Sequence, residues 1–181
     1  MVASRVTQRY AKALFELAKE QQALDTVASD LDIIRAALDS TPEFRRMLVS
    51  PVVKSAEKAG VFEKLFAKKV SALTYNFLRL LLHKKRENLL PDLLDAFAAM
   101  LDAEHGILRG ELFTAHPFTD QQVKDLKKRL DKYTGKDVVL SQTVQPELLG
   151  GFVVRLQDMV IDSSIKNQLE RMREKFLHPS S

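Results

Sequence analysis

Apolar residues recur at helical spacing up to about residue 104 and in shorter, strand-like groups beyond it. From Arg5 to Lys19 they fall at Val6, Tyr10, Ala13, Leu14 and Leu17, one face of a helix, with a second line, Ala11, Phe15 and Ala18, beside it. So wide an apolar surface predicts two neighbours, or one neighbour and a docking groove. The next segment places Leu24, Val27, Leu31, Ile34 and Leu38 on one stripe, with Asp25, Asp32, Arg35 and Asp39 largely off it. Thr41-Pro42-Glu43 predicts a hydroxyl-capped start with proline at the first helical position, and the short helix it opens should stop near Ser50-Pro51. A further short helix is expected over about 54–66, with Gly60 weakening its continuity. Val70 to Lys84 is apolar nearly all round and reads as a central helix, ending in cations that suit its dipole. Leu90, Leu93, Leu94, Phe97, Met100 and Leu101 give a sixth helix its inward face.

At Gly106 the pattern changes. Ile107 to Ala115 reads as a strand, and Thr119 with Gln122 forms a capping box for a helix running to about Tyr133. Gly135-Lys136-Asp137 turns the chain into a strand at Val138-Val139-Leu140. Residues 149–156 and 159–161 read as a hairpin or two short strands, and a last helix covers about 164–177. The expected fold is therefore mainly α: a six-helix bundle over 1–105, then a small α/β domain over 106–181. There is no internal repeat or low-complexity segment.

Composition narrows the function classes. The chain has 181 residues, 45% of them hydrophobic and 29% charged, a balance suited to a packed globular protein. Its net charge of +4 comes from 28 basic and 24 acidic residues, and nucleic-acid binding depends on clustered charge rather than on such a sum. With no cysteine, disulfides and thiolate chemistry are excluded. The first eight residues lack the apolar stretch of a secretory signal, and no run approaches the ~18 apolar residues of a membrane span. Direct membrane insertion is therefore not expected.

No arrangement of reactive groups stands out either. Gly135-Lys136 lacks the upstream glycine and the following hydroxyl of a phosphate-binding loop. The four histidines, His83, His105, His116 and His178, are scattered, without the close ligand pairs that zinc needs. No G-x-S-x-G turn is present. Gly150-Gly151 reads as a pair that relieves steric limits on a turn entering a strand. The reading is no catalytic site, no cofactor, no metal and no small-molecule substrate. His83 to Arg86 sits at a predicted helix end, where cations are ordinarily favoured, and the basic pI of about 9.3 with the ridge Lys124, Lys128, Lys132 motivates the alternative of a small nucleic-acid-binding protein. Interleaved acids and the want of stacking aromatics favour a solvated face.

Five segments, in order along nearly the whole chain, carry a resemblance to one family. Arg9-Tyr10-Ala11-Lys12-Ala13-Leu14-Phe15-Glu16-Leu17-Ala18 resembles the opening helix of the delta/OSCP family of F-type ATP synthase. Asn76 to Leu81 and Leu90 to Phe97 resemble its fifth and sixth helices, and Thr114-Ala115-His116-Pro117-Phe118-Thr119 its junction. The strongest match runs from Leu149-Gly150-Gly151-Phe152-Val153-Val154-Arg155 through Asp158-Met159-Val160-Ile161-Asp162 to Ser164. Two positions depart from the pattern. Gln157 stands where the family usually has glycine, and Ser163 where bacterial members often do, and a side chain at a positive-φ site is strained.

The resemblance implies a non-catalytic connector between the catalytic head and the peripheral stalk. Its helical domain would receive N-terminal helices of alpha subunits, with Tyr10, Ala13, Leu14, Leu17, Asn76, Phe77 and Leu80 as the expected groove. Its second domain would hold the b-type stalk subunits, with Met159, Val160, Ile161, Leu169 and Met172 as the expected contacts. The implied place is peripheral, on the cytoplasmic face of a bacterial inner membrane, or on the matrix or stromal face in an organelle.

Overall fold

The computed structural model describes residues 4–50 and 52–177. It is mainly helical with one small four-stranded sheet, and it divides into two compact units, Met1–Leu101 and Asp102–Ser181. The division falls a few residues before the change of pattern at Gly106, because the sixth helix continues past Leu101.

The first unit contains α1 (Arg5–Glu20), α2 (Leu24–Ser40), α3 (Pro42–Val49), α4 (Ser55–Phe66), α5 (Ala72–His83) and most of α6 (Leu90–Glu104). A 3-10 turn, Glu87–Leu89, leads into α6 and was not foreseen from the pattern. All six helices contribute to one core, in which Phe44, Phe62 and Phe66 form a mutually tilted aromatic cluster and Phe15 meets Phe97 edge to face.

Helix starts are set locally. Ser4 and Ser71 each accept the N–H of the threonine three residues on, and the hydroxyls of each serine–threonine pair also meet, at 3.0 and 3.2 Å. Those hydrogen bonds let Thr7 and Thr74 be buried completely among apolar neighbours. Asp30, on the otherwise apolar face of α2, is also buried and accepts the N–H of Ser71 at 2.9 Å, fixing where α5 begins. One expected cap is absent: Thr41 occupies the N-cap position of α3 but makes no side-chain capping bond. Pro42 does stand at the first helical turn. Gly60 leaves α4 unbroken.

In the second unit β1 (Ile107–Thr114) is followed by α7 (Asp120–Thr134), β2 (Asp137–Val144), β3 (Phe152–Leu156), β4 (Met159–Asp162) and α8 (Ile165–Leu177). The sheet order is β2-β1-β3-β4, with β1 and β2 parallel and the other pairs antiparallel. A parallel pair needs a crossover, which α7 supplies. The capping box at Thr119 and Gln122 is complete, and Gly135 ends α7 in the left-handed conformation. Asp131 accepts the N–H of Val138 at 2.7 Å, which holds its carboxyl below the ordinary aspartate value, and Lys127 bridges Asp131 and Asp137. β2 is longer than the expected three residues, because its polar end, Ser141 to Thr143, pairs in register with Glu111 to Phe113. Leu108, Leu112, Val138, Val154 and Leu156 form the core with Leu130 of α7.

The β3–β4 turn confirms the strain expected at Gln157, whose φ is +49°. Ser163 is not in that region. Gln157→Gly is accordingly expected to stabilise the second unit by roughly 0.5–1 kcal/mol, the left-handed penalty less the entropy glycine adds to the unfolded chain. Urea denaturation of the two proteins measures it, and an unchanged or lower midpoint would show that the turn carries no strain.

Candidate helix-docking surfaces

The expected groove residues divide by burial. On α1 the buried line is Thr7, Ala11, Leu14 and Ala18. Val6, Tyr10, Ala13 and Leu17 form a second line, roughly 100° round the helix at 3.6 residues per turn. Tyr10 is half-buried against the core, Ala13 is exposed and Leu17 is 43% exposed. Leu14 is therefore a core residue and its side chain is not available to a partner. It shares helical spacing with the outer line, and the small Ala11 and Ala18, which permit close helix packing, draw the inward face toward themselves.

On α5 the same division holds. Thr74, Phe77, Leu78, Leu81 and Leu82 face inward, so Phe77 also belongs to the core. Asn76 is exposed and Leu80 is 43% exposed, while Leu73 is half-buried beside them in helical spacing. Exposed apolar surface thus runs along both helices that begin with the Ser-x-x-Thr cap.

In the second unit, Met159 and Ile161 pack against the core from β4, whereas Val160 points to the other side of the sheet and is exposed. This follows from strand alternation. Met159 and Ile161 are half-buried there, so they offer a partner only part of their surface. On α8, Leu169 and Met172 are 53% and 54% exposed, and Ile165, one turn earlier on the same face, is exposed too. Sequence reasoning had not singled out Ile165. The helix is anchored at its start by Asp162, which accepts the N–H and hydroxyl of Ser164 and the amide of Asn167. Partial desolvation opposes ionisation of that carboxyl, but the hydrogen bonds outweigh it and its pKa is lowered.

No group of three or more metal-ligating side chains occurs among the described residues, and no described helix is long and apolar enough to cross a membrane. On α7, which carries the ridge Lys124, Lys128 and Lys132, acids are interleaved: Lys128 lies 4.0 Å from Asp125, and Lys127 pairs with Asp131 and Asp137.

What both units display is apolar stripes on well-anchored helices, the kind of surface by which one chain holds a helix of another. The family model for the ATP synthase delta (OSCP) subunit matches residues 6–176. ATP synthase subunit delta of Carboxydothermus hydrogenoformans is 39% identical over 93% of this chain and 94% of its own length. That of Chlorobaculum parvum is 34% identical over 98% of each. A chain of the Toxoplasma gondii mitochondrial ATP synthase hexamer superposes with a TM-score of 0.73 at 32% identity, covering 96% of this chain and 98% of that one. The protein belongs to the ATP synthase delta (OSCP) subunit family. None of these matches supports the nucleic-acid-binding alternative.

Proposed function

We propose that this chain is the non-catalytic connector that ties the catalytic head of an F-type ATP synthase to its peripheral stalk. Rotary catalysis needs a stationary frame, because a head that turned with the central rotor would leave proton flow uncoupled from ATP synthesis. The reading is carried by one observation: Tyr10, Ala13 and Leu17 form a partly exposed apolar line on α1, outside the line that builds the core. A core-only helix has no use for that second line. In this reading the first unit is a six-helix bundle, and α1, with Asn76 and Leu80 of α5, receives an amphipathic N-terminal helix of an alpha subunit. Ala13, the smallest residue of the line, lets that helix approach closely.

The second unit would hold b-type subunits through Val160, Leu169 and Met172, joined by Ile165. Methionine suits such a contact because its unbranched chain adapts to an incoming apolar surface. The complex would then sit peripherally at the membrane, on the cytoplasmic face in a bacterium.

A reciprocal pull-down tests both halves. Ala13→Asp should weaken capture of an alpha-subunit N-terminal peptide tenfold or more while leaving b-type capture intact. Met172→Lys should do the reverse. Both positions are solvent-facing, so melting should be near normal. A folded Ala13→Asp protein that binds the alpha peptide unchanged would overturn the head-side assignment.

A further inference from the structure

A second concave surface lies on the first unit, between α4 and α5. It encloses about 260 Å³ and is lined by Ser55, Ala56, Ala59, Arg79, Leu82 and His83. The space exists because α4 presents only small side chains there, with Ala56 and Ala59 three residues apart on one face. Leu82, buried, closes the floor. At this size the groove is below the usual range for enclosing a drug-sized ligand, but it has room for a single large apolar side chain.

Its rim carries one permanent cation, Arg79, beside His83. Arg79 and His83 stand one turn apart on α5, and Lys84, Lys85 and Arg86 follow at the end of the helix. None of the five meets a carboxylate within ion-pair distance among the described residues. Three other arginines of the unit are paired: Arg35 with Asp95 at 2.7 Å, Arg45 with Asp39 at 3.1 Å and Arg46 with Glu43 at 3.2 Å. Of the acids near this end of the unit in sequence, Glu87 is taken by Lys58, and Glu57 is the only one in the first turn of α4. A groove with an apolar floor and an unneutralised positive rim is complementary to an apolar side chain flanked by acids. It carries no aromatic platform on which a nucleic-acid base could stack.

We propose that this α4–α5 groove is a second peptide-docking site, separate from the α1 stripe. Its occupant is an acidic amphipathic helix of a partner protein, which inserts one large apolar side chain over Leu82, pairs a carboxylate with Arg79 and accepts a hydrogen bond from the His83 ring. The rim charge steers the encounter, and the buried side chain fixes the register.

The test uses the full chain and a fluorescent synthetic peptide of about 16 residues, long enough to form a helix on binding, with leucine or phenylalanine at every third or fourth position and glutamate elsewhere. Binding in the range of about 10–100 µM is expected, weakening as salt rises. Ala59→Phe, which fills the groove, and Arg79→Glu, which reverses its rim, should each weaken binding at least tenfold, with folding checked by circular dichroism. Ala13→Asp should leave it unchanged, so this site can fail while the α1 assignment stands, and the reverse. Equal binding of a peptide with lysine in place of glutamate, wild-type affinity in both groove variants, loss in Ala13→Asp, or no binding at millimolar peptide would each overturn the proposal. Tighter binding of a single-stranded oligonucleotide at the same rim would overturn it in favour of a phosphate partner.

Discussion

Lys58→Met is expected to destabilise the first unit by about 3–5 kcal/mol, the usual consequence of breaking a buried ion pair from one side. The Lys58 ammonium donates to the Leu48 carbonyl at 3.0 Å and to Glu87 Oε1 at 2.7 Å, and the two side chains are only 5% and 10% exposed. One amine therefore ties the end of α3, the first half of α4 and the turn before α6. Methionine keeps most of the length and volume, so the loss isolates charge from packing. It would leave a carboxylate enclosed without a counter-charge, and Glu87 Oε2 already has no hydrogen-bond partner. Lys58→Met/Glu87→Leu should recover most of the loss, because two apolar groups need no partner. Urea denaturation of the single and double variants gives the coupling energy directly. A single-variant loss under about 1 kcal/mol would mean that water reaches the pair in solution.

The second large effect is expected at Gly151. Its φ is +74°, and an added Cβ would overlap the carbonyl oxygen of Ser163 and crowd the start of Ser164. Backbone cannot move aside as a side-chain tip can. Gly151→Ala should therefore cost the second unit at least about 2–3 kcal/mol, from left-handed strain and the displaced backbone together. Gly150→Ala is the control. There the added Cβ meets only the Ile165 side chain, which can change rotamer, and φ is not positive. Its cost should be clearly smaller. Equal losses would show that the turn tolerates a side chain at either glycine. A folded Gly151→Ala protein that no longer retains b-type subunits would show that the Gly151–Ser163 approach sets the position of α8.

Features set by near neighbours were legible in the sequence. The Thr119–Gln122 capping box, the glycine end of α7 and the hairpin with its strained Gln157 all depend on residues a few positions apart. Contacts between distant residues were not. Nothing local marks Lys58 and Glu87, 29 positions apart, as a buried pair, or Asp30 as the acceptor that positions α5. The face of α1 was ambiguous for a related reason. Two apolar lines share the helical period, and the inward one is marked by alanines and a capped threonine rather than by the larger residues. In the second unit, strand alternation puts Val160 on the face opposite Met159 and Ile161. It could not say which side the core would take, because that depends on where α7 packs.

The place of β1 in the sheet also bears on how the chain is made. The first strand to leave the ribosome is an inner one, flanked by β2 and β3. Its register partners on β3 lie about 40 residues downstream, from Thr114 with Phe152 to Gly110 with Leu156. At ordinary synthesis rates that leaves it without its β3 edge for roughly 2–9 s. All six helices of the first unit contribute to one core and lie ahead of β1 in the chain, so that core can close in that interval. During synthesis, then, a finished N-terminal unit would carry an unfinished sheet behind it, with Leu108, Leu112 and Phe113 still uncovered. That is the interval in which the nascent chain is most exposed to aggregation, and in which a chaperone would have a strand to hold.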